Sequence, residues 1–430
     1  MKRIFSRKNR LLLVKYNFLP YFLYIYAENK TLKSTHKNKK MAFYYKLGNI
    51  PPKRHTQFRQ PDGSLYFEEL VSSHGFSGIY SNLYHTYMPT RIKKMVGSTP
   101  CANIPLKDRP LLQTHLNTSI SEITGKDFLD ARKVLLMNND CTIAICNPSE
   151  KKMDYFYKNG EADEMFYIHD GSGYVLSQFG KLRFAKGDYV IIPRTTIYKI
   201  EFDDLPNGNN VRMLVVEAFS PIETVKSYRN DLGQLLEHSP YCERDIHPPQ
   251  ELLTETEKGD FVVKIKKGGY MHEYVYEHSP LDLVGWDGFL YPYTISIHDF
   301  EPITGRIHQP PPVHQMFQAH NFVVCSFVPR LFDYHPLAIP APYNHSNIDS
   351  DEVLFYAEGE FMSRKGISRG SFTLHPGGLP HGPHPGTVEK SIGKKETHEL
   401  AVMVDTFHPL FLTEDALQFV DEKYPMSWTE

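Results

Sequence analysis

Nine of the chain's 21 histidines fall between residues 298 and 384: His298, His308, His314, His320, His335, His345, His375, His381 and His384. The densest part is "GSFTLHPGGLPHGPHPG", residues 370 to 386, where three histidines share seventeen positions with four prolines and five glycines. After its first few residues such a stretch can be neither helix nor smooth strand, because proline removes backbone donors and glycine turns the chain. Imidazoles gathered in this way suit metal ligation or proton exchange near neutral pH. Just upstream, "PYNHSNIDSDEVLFYAEG" supplies His345 and two adjacent acids, Asp351 and Glu352. Neighbouring side chains on a strand point to opposite faces, so only one of these acids can enter an inward-facing site. Further upstream, "GRIHQPPPVH" couples His308 to a stiff proline run, which suits an acid/base imidazole held at the mouth of a pocket. The five cysteines include no CxxC pair, so a metal in this chain would be held by nitrogen and oxygen.

Two segments could position these groups. One runs from Glu164 ("EMFYIHDGSGYVLSQFGKLRFAKGDYVIIPRTTIYKI"), the other from Glu352 ("EVLFYAEGEFMSRKGISRGSFTLHPGGLPH"). Both are strand-patterned and punctuated alike: Glu164 precedes Gly171 as Glu352 precedes Gly359, and Gly187 precedes Pro193 as Gly370 precedes Pro376. This internal repeat resembles the two signatures of the cupin superfamily, whose fold is a double-sheet jelly roll. The second copy keeps every fixed position through Gly370, Pro376, Gly378 and His381, whereas the first has Thr195 and Tyr198 where the glycine and histidine belong. The fold expected is therefore mostly β, a bicupin of two jelly-roll-like β-barrels, the N-terminal one degenerate and the C-terminal one metal-binding.

The resemblance selects Glu352 as the inward acid, and with His345 and His381 it completes two imidazoles and one carboxylate. That set is the facial triad of non-haem Fe(II), which leaves three coordination positions open, although the ligand types alone also permit zinc, manganese or nickel. His375 is expected behind the ligands, where such groups orient them. His384 either joins it there or is solvated. Ordinary structural roles are expected for His298, His314, His320 and His335.

Five stretches narrow the resemblance: "KLGNIPPKRHTQFRQPDGSLYFEEL", "VGWDGFLYPY", "GRIHQPPPVH", "PYNHSNIDSDE" and "LHPGGLPHGPHPG". Together they resemble the homogentisate 1,2-dioxygenase family in its bacterial form, from about Met41 onward. The resemblance implies an Fe(II) enzyme that opens the ring of a small aromatic acid, homogentisate, with O2 to give maleylacetoacetate in tyrosine and phenylalanine breakdown. It implies His345, Glu352 and His381 as iron ligands, His308 as acid/base group, and His375, His381 and the residue at Phe361 as substrate-binding. It also implies a homo-oligomer, a hexamer or trimer. Two positions depart from the animal-type pattern: the loop from His345 to Glu352 is one residue longer, and Phe361 replaces a substrate-binding tyrosine. The missing hydroxyl leaves gentisate or another hydroxylated arylacetate open as substrate.

Composition bounds the rest. With 48 basic and 50 acidic residues and a net charge of −2, nothing calls for nucleic acid or an anionic membrane. An aromatic share of 13% and 31 prolines favour strands and turns. An odd number of cysteines fits a reducing, cytoplasmic setting. Residues 1–40 begin basic and apolar, but Lys15, Asn17 and Pro20 break the run, and no small-residue cleavage site follows. They read as an extension without a defined fold or outside the natural translation, with Met41 as the start. Residues 41–275 are expected to form an N-terminal β-rich domain with the degenerate cupin, and 276–430 the C-terminal cupin with iron. The polar span 231–260 reads as a linker or an excursion between them. Two rivals differ in class. A zinc phosphosugar isomerase needs clustered cations near the metal strands, for which only Arg364, Lys365 and Arg369 are available. A non-catalytic bicupin of the storage type should have lost the ligands in both copies.

Overall fold

The computed structural model describes residues 43–120, 123–204, 211–306, 308–359, 361 and 366–429, so the extension at 1–40 lies outside the described residues. Two seven-stranded antiparallel sheets form the centre. The first runs Tyr293–Ser296, Asp188–Ile192, Asp163–Asp170, Arg212–Ala218, Cys141–Cys146, Arg132–Met137 and Phe411–Leu412. The second repeats that order: Thr114–Leu116, Phe372–His375, Asp351–Glu358, Leu400–Thr406, Phe322–Phe327, Gln315–Ala319 and Glu223–Thr224. The sequence repeat is thus a repeat of whole sheets. Each sheet takes both edge strands from the other half of the chain, so a division at 275/276 separates the central strands of the two sheets and not their edges.

The two sheets lie back to back. Met165, Tyr167, Leu214 and Val216 of the first pack with Val353, Phe355, Val402 and Val404 of the second in one buried core. Tyr167 meets Phe355 edge-on, ring centroids 6.1 Å apart, and Tyr189 reaches across to hydrogen-bond Ser326 at 2.9 Å. Burying a side chain such as Phe355 stabilises by about 2–3 kcal/mol, so this seam is a principal source of stability. The far face of the first sheet is also apolar. Phe166, Ile168, Val190 and Val215 pack there on Val175, Tyr157 and Ile200 of a third sheet that runs Gly180–Phe184, Gly173–Ser177, Ile197–Phe202, Phe156–Asn159, Lys258–Lys267, Tyr270–His278 and Ile92–Pro100. The N-terminal cupin is therefore a filled sandwich of stacked sheets and not a hydrogen-bonded closed barrel. This explains why strands such as Cys141–Cys146 are buried at every position; the second sheet is also largely buried on both faces, Phe372–His375 throughout. In that sheet Val353 and Phe355 enter the core, and Glu352 stands directly opposite His375 and Asp405 on the other face.

The polar span 231–260 does not behave as a free linker. Leu235 and Tyr241 are buried in the central core, and the Tyr241 hydroxyl donates to the Met316 carbonyl at 2.7 Å. Pro240 and Pro249 are buried as well, and Ile246 and Leu252 pack against the same core, so the run is pinned along its length. All five cysteines are free, and among the described residues no helix is long and apolar enough to cross a membrane.

Candidate metal centre

Glu352 sits on the strand Asp351–Glu358, and the two histidines arrive on loops that pair with each other. The amide of His345 donates to the His381 carbonyl at 2.8 Å, and the amide of His381 donates back to His345 at 2.9 Å. This reciprocal pairing fixes the two backbones face to face and brings the imidazole centroids to 4.2 Å. The turn that delivers His381 is held by the other acid of the pair. Asp351 accepts the Gly377 amide at 2.7 Å through one oxygen and the Leu410 amide at 2.8 Å through the other. Gly378 completes the turn at φ +84°, a conformation side chains with a Cβ rarely adopt.

The ring orientations follow from local carbonyls. His345 Nδ1 lies 3.3 Å from the Tyr343 carbonyl and His381 Nδ1 lies 3.2 Å from that of Leu379. A carbonyl can only accept, so both Nδ1 atoms carry the proton and both Nε2 atoms present lone pairs. Each Nε2 is 3.6 Å from Oε2 of Glu352, and one donor atom from each of the three residues lies within 4.8 Å of the others. His381 Nε2 is buried without a hydrogen-bond partner, a costly situation that a cation at the centre of the set would relieve. The residues present therefore fit a divalent metal, with nitrogen and oxygen donors of the type iron, zinc or manganese accepts. Burial pushes the Glu352 carboxyl up, but the surrounding imidazoles of His345, His375 and His381 outweigh it and hold it well below the usual carboxylate range.

The other expected residues take distinct places. His375 is fully buried, stacks on His381 at 4.6 Å, and sets Nδ1 against Glu352 Oε1 at 3.1 Å and Nε2 against the Tyr424 hydroxyl at 3.0 Å. His308 is exposed and reaches the centre through one aromatic, with Tyr343 between it (4.7 Å) and His345 (6.1 Å). Phe361 packs edge-on against Tyr356 at 4.6 Å. Tyr356 lies four residues beyond Glu352, about 13 Å along the strand. His384 is buried and hydrogen-bonds Ser427 at 2.7 Å, so it is not solvated. Of the four lone histidines, His314 is buried against Phe327 and held neutral, its pKa pushed by burial to about 3. His335 caps its own turn through the Leu337 amide, and His320 is exposed. Among the cations weighed for a phosphate, Arg369 pairs with Asp170 at 2.6 Å, while Arg364 and Lys365 lie outside the described residues.

Several residues had no motif to announce them. Tyr424 and Trp428 belong to a short segment that packs against His375 and the loop carrying His381, and no sequence pattern pointed there. In the first repeat copy, Arg132 occupies the space between the positions that match Glu352 and His381. Its guanidinium contacts Glu164 at 2.5 Å, the Tyr198 hydroxyl at 3.0 Å and Glu217 at 3.3 Å, and Tyr198 donates to Glu164 at 2.8 Å. The degenerate cupin is therefore filled by an internal cation.

A cupin sheet carrying two histidines and a carboxylate at one end defines the class to which this protein belongs. Comparison with known proteins narrows it. Residues 122–297 match the family model described as homogentisate 1,2-dioxygenase N-terminal, a stretch that ends before His345, Glu352 and His381. A protein of Saccharolobus solfataricus that carries a provisional dioxygenase name is 42% identical over 391 residues, covering 90% of this chain and 99% of that one. Homogentisate 1,2-dioxygenase of Bradyrhizobium diazoefficiens is 26% identical over 62% of this chain and 61% of its own length. The enzyme of the same name from Rhizobium etli is 25% identical over 70% of each. Among solved structures, a cupin 2 conserved barrel protein from Leptotrichia buccalis aligns over 71% of this chain at 11% identity and a TM-score of 0.31. The chain belongs to the same dioxygenase family as the Saccharolobus protein, and it carries a homogentisate 1,2-dioxygenase N-terminal domain.

Proposed function

We propose that this protein is a non-haem Fe(II) dioxygenase that cleaves the ring of homogentisate with O2 to give maleylacetoacetate. The observation that carries the reading is the convergence of His345, Glu352 and His381, with both Nε2 lone pairs turned to one carboxylate oxygen. Fe(II) held there would supply adjacent open positions for a phenolate and dioxygen and the electron transfer between them. The protein's own groups bind, orient and exchange protons. Two neutral imidazoles and one carboxylate leave net positive charge on a divalent ion, which favours an anionic substrate. His308, on the exposed side, takes the proton of the ring hydroxyl as it binds and returns it to product. Tyr343 packs at a tilt against the His308 ring. His375 holds Glu352 in place. Assembly into a homo-oligomer belongs to the same reading.

A second substrate reading rests on Phe361, which lacks the hydroxyl of the animal-type tyrosine; the site would then accept gentisate or a related hydroxylated aromatic acid. Anaerobic reconstitution with Fe(II), followed by homogentisate or gentisate in the presence of O2, distinguishes the two through oxygen uptake and ring-fission absorbance. Uptake with gentisate alone overturns the substrate, and turnover with zinc without oxygen demand overturns the class.

A further inference from the structure

The segment Tyr424–Trp428 touches the supports of two of the three metal ligands. The Tyr424 hydroxyl is 3.0 Å from His375 Nε2, and His375 Nδ1 is 3.1 Å from Glu352 Oε1. An ionised carboxylate only accepts, so Nδ1 carries the hydrogen; in the neutral ring Nε2 is then an acceptor, and the phenol donates to it. Three residues further on, Ser427 hydrogen-bonds His384 Nε2 at 2.7 Å and the Tyr424 carbonyl at 2.6 Å. Trp428 packs tilted against His384, ring centroids 4.5 Å apart, and its indole N–H donates to the carbonyl of Gly382, the residue after His381, at 3.1 Å. The segment is itself seated on the edge strand Thr114–Leu116 from the other half of the chain, where the Asp421 amide donates to the His115 carbonyl at 2.9 Å. Tyr424, His375 and His384 are all buried.

We propose that Tyr424 is a positioning residue for the metal centre. Its phenol holds His375 in the Nδ1–H tautomer, which engages Oε1 of Glu352 and leaves Oε2 alone to face the two ligand imidazoles at 3.6 Å. Trp428, through Gly382, steadies the loop of the third ligand. The inference rests on the reading of His345, Glu352 and His381 as metal ligands and adds to it a clasp that the repeat signature does not contain. Removal of a group that orients a ligand typically costs 10–100-fold in metal affinity.

The test uses the full chain, stripped of metal and titrated with Co(II), read by calorimetry and by the visible d–d bands. Tyr424→Phe should bind Co(II) 10–100-fold more weakly with altered band intensities, while the metal-free protein melts as wild type does. His375→Asn supplies an amide donor to Glu352 that needs no phenol, so adding Tyr424→Phe to it should cost nothing further; fully additive losses would mark Tyr424 as mere packing and overturn the proposal. Wild-type binding by Tyr424→Phe, with binding abolished in Glu352→Ala and His345→Ala, overturns the clasp and leaves the ligand set standing. Unimpaired binding in those two ligand variants overturns the ligand set itself.

Discussion

Thr195 adopts φ +70°, in the same register of the repeat where Gly378 adopts +84°. A β-branched residue there is strained, yet the Thr195 amide is used, donating to the Asn159 carbonyl at 2.7 Å. Thr195→Gly should therefore stabilise the protein by about 1 kcal/mol, read as a higher urea midpoint at unchanged slope; a lower midpoint would show that the turn is not strained. Arg132 makes the opposite forecast. Arg132→Met leaves Glu164 and Glu217 buried beside each other with fewer partners, and should cost about 3–5 kcal/mol without altering metal content. A loss below about 1 kcal/mol would refute the internal-cation role. For the proposed homogentisate activity, Phe361→Tyr adds a hydroxyl to a ring packed on Tyr356. KM for homogentisate should fall about fivefold, equivalent to about 1 kcal/mol, and an unchanged KM places residue 361 away from the substrate.

At the scale of elements, polar side chains secure turns and strand ends that apolar packing leaves undefined. Asp351 holds both the Gly377 turn and the chain at Leu410, so Asp351→Ala should lower stability by about 2–4 kcal/mol and loosen metal binding together, through the same displaced His381 loop. A small four-stranded sheet, Tyr45–Gly48, Leu283–Gly288, Tyr80–His85 and Phe67–Ser72, is pinned by His85, which contacts Asp282 at 2.7 Å and Glu69 at 3.0 Å. Burial would lower its pKa, but hydrogen bonds to Asp282 and Glu69 outweigh it and raise the value from 6.5 to about 9. The raised pKa stabilises the fold by about 3 kcal/mol below pH 6.5; the contribution declines as pH rises through 9 and is gone above it. His85→Gln should flatten that alkaline decline, and a variant that still loses stability between pH 7 and 10 as wild type does would exclude His85 as its source. Much of this layer was legible in sequence. "KVLLMN" and "CTIAIC" read as strands and fold as Arg132–Met137 and Cys141–Cys146, because strand patterning is local. For the span 231–260 the sequence left a linker and an excursion both open, because its polarity is local, whereas the burial of Leu235 and Tyr241 is decided by a sheet far away in the chain.

Across the whole molecule, the halves are joined by exchange. The first sheet ends in Tyr293–Ser296 and Phe411–Leu412, the second in Thr114–Leu116 and Glu223–Thr224, and one apolar core lies between them. Unfolding should accordingly be a single cooperative transition by both calorimetry and fluorescence, and residues 41–275 expressed alone should not reach a native fold. Two separated transitions, or a folded fragment, would contradict this coupling. The residue types at 345, 352 and 381, the turn chemistry of "HPGG" and the alternation of faces along the strand carrying Glu352 were determined by sequence alone, because each depends on neighbours within a few residues. The reciprocal backbone pairing of His345 with His381, the support of Glu352 by Tyr424 and the seating of Arg132 between two carboxylates were decided by tertiary structure. Each joins residues between about 30 and 85 positions apart, and no local propensity encodes which distant partner will meet which.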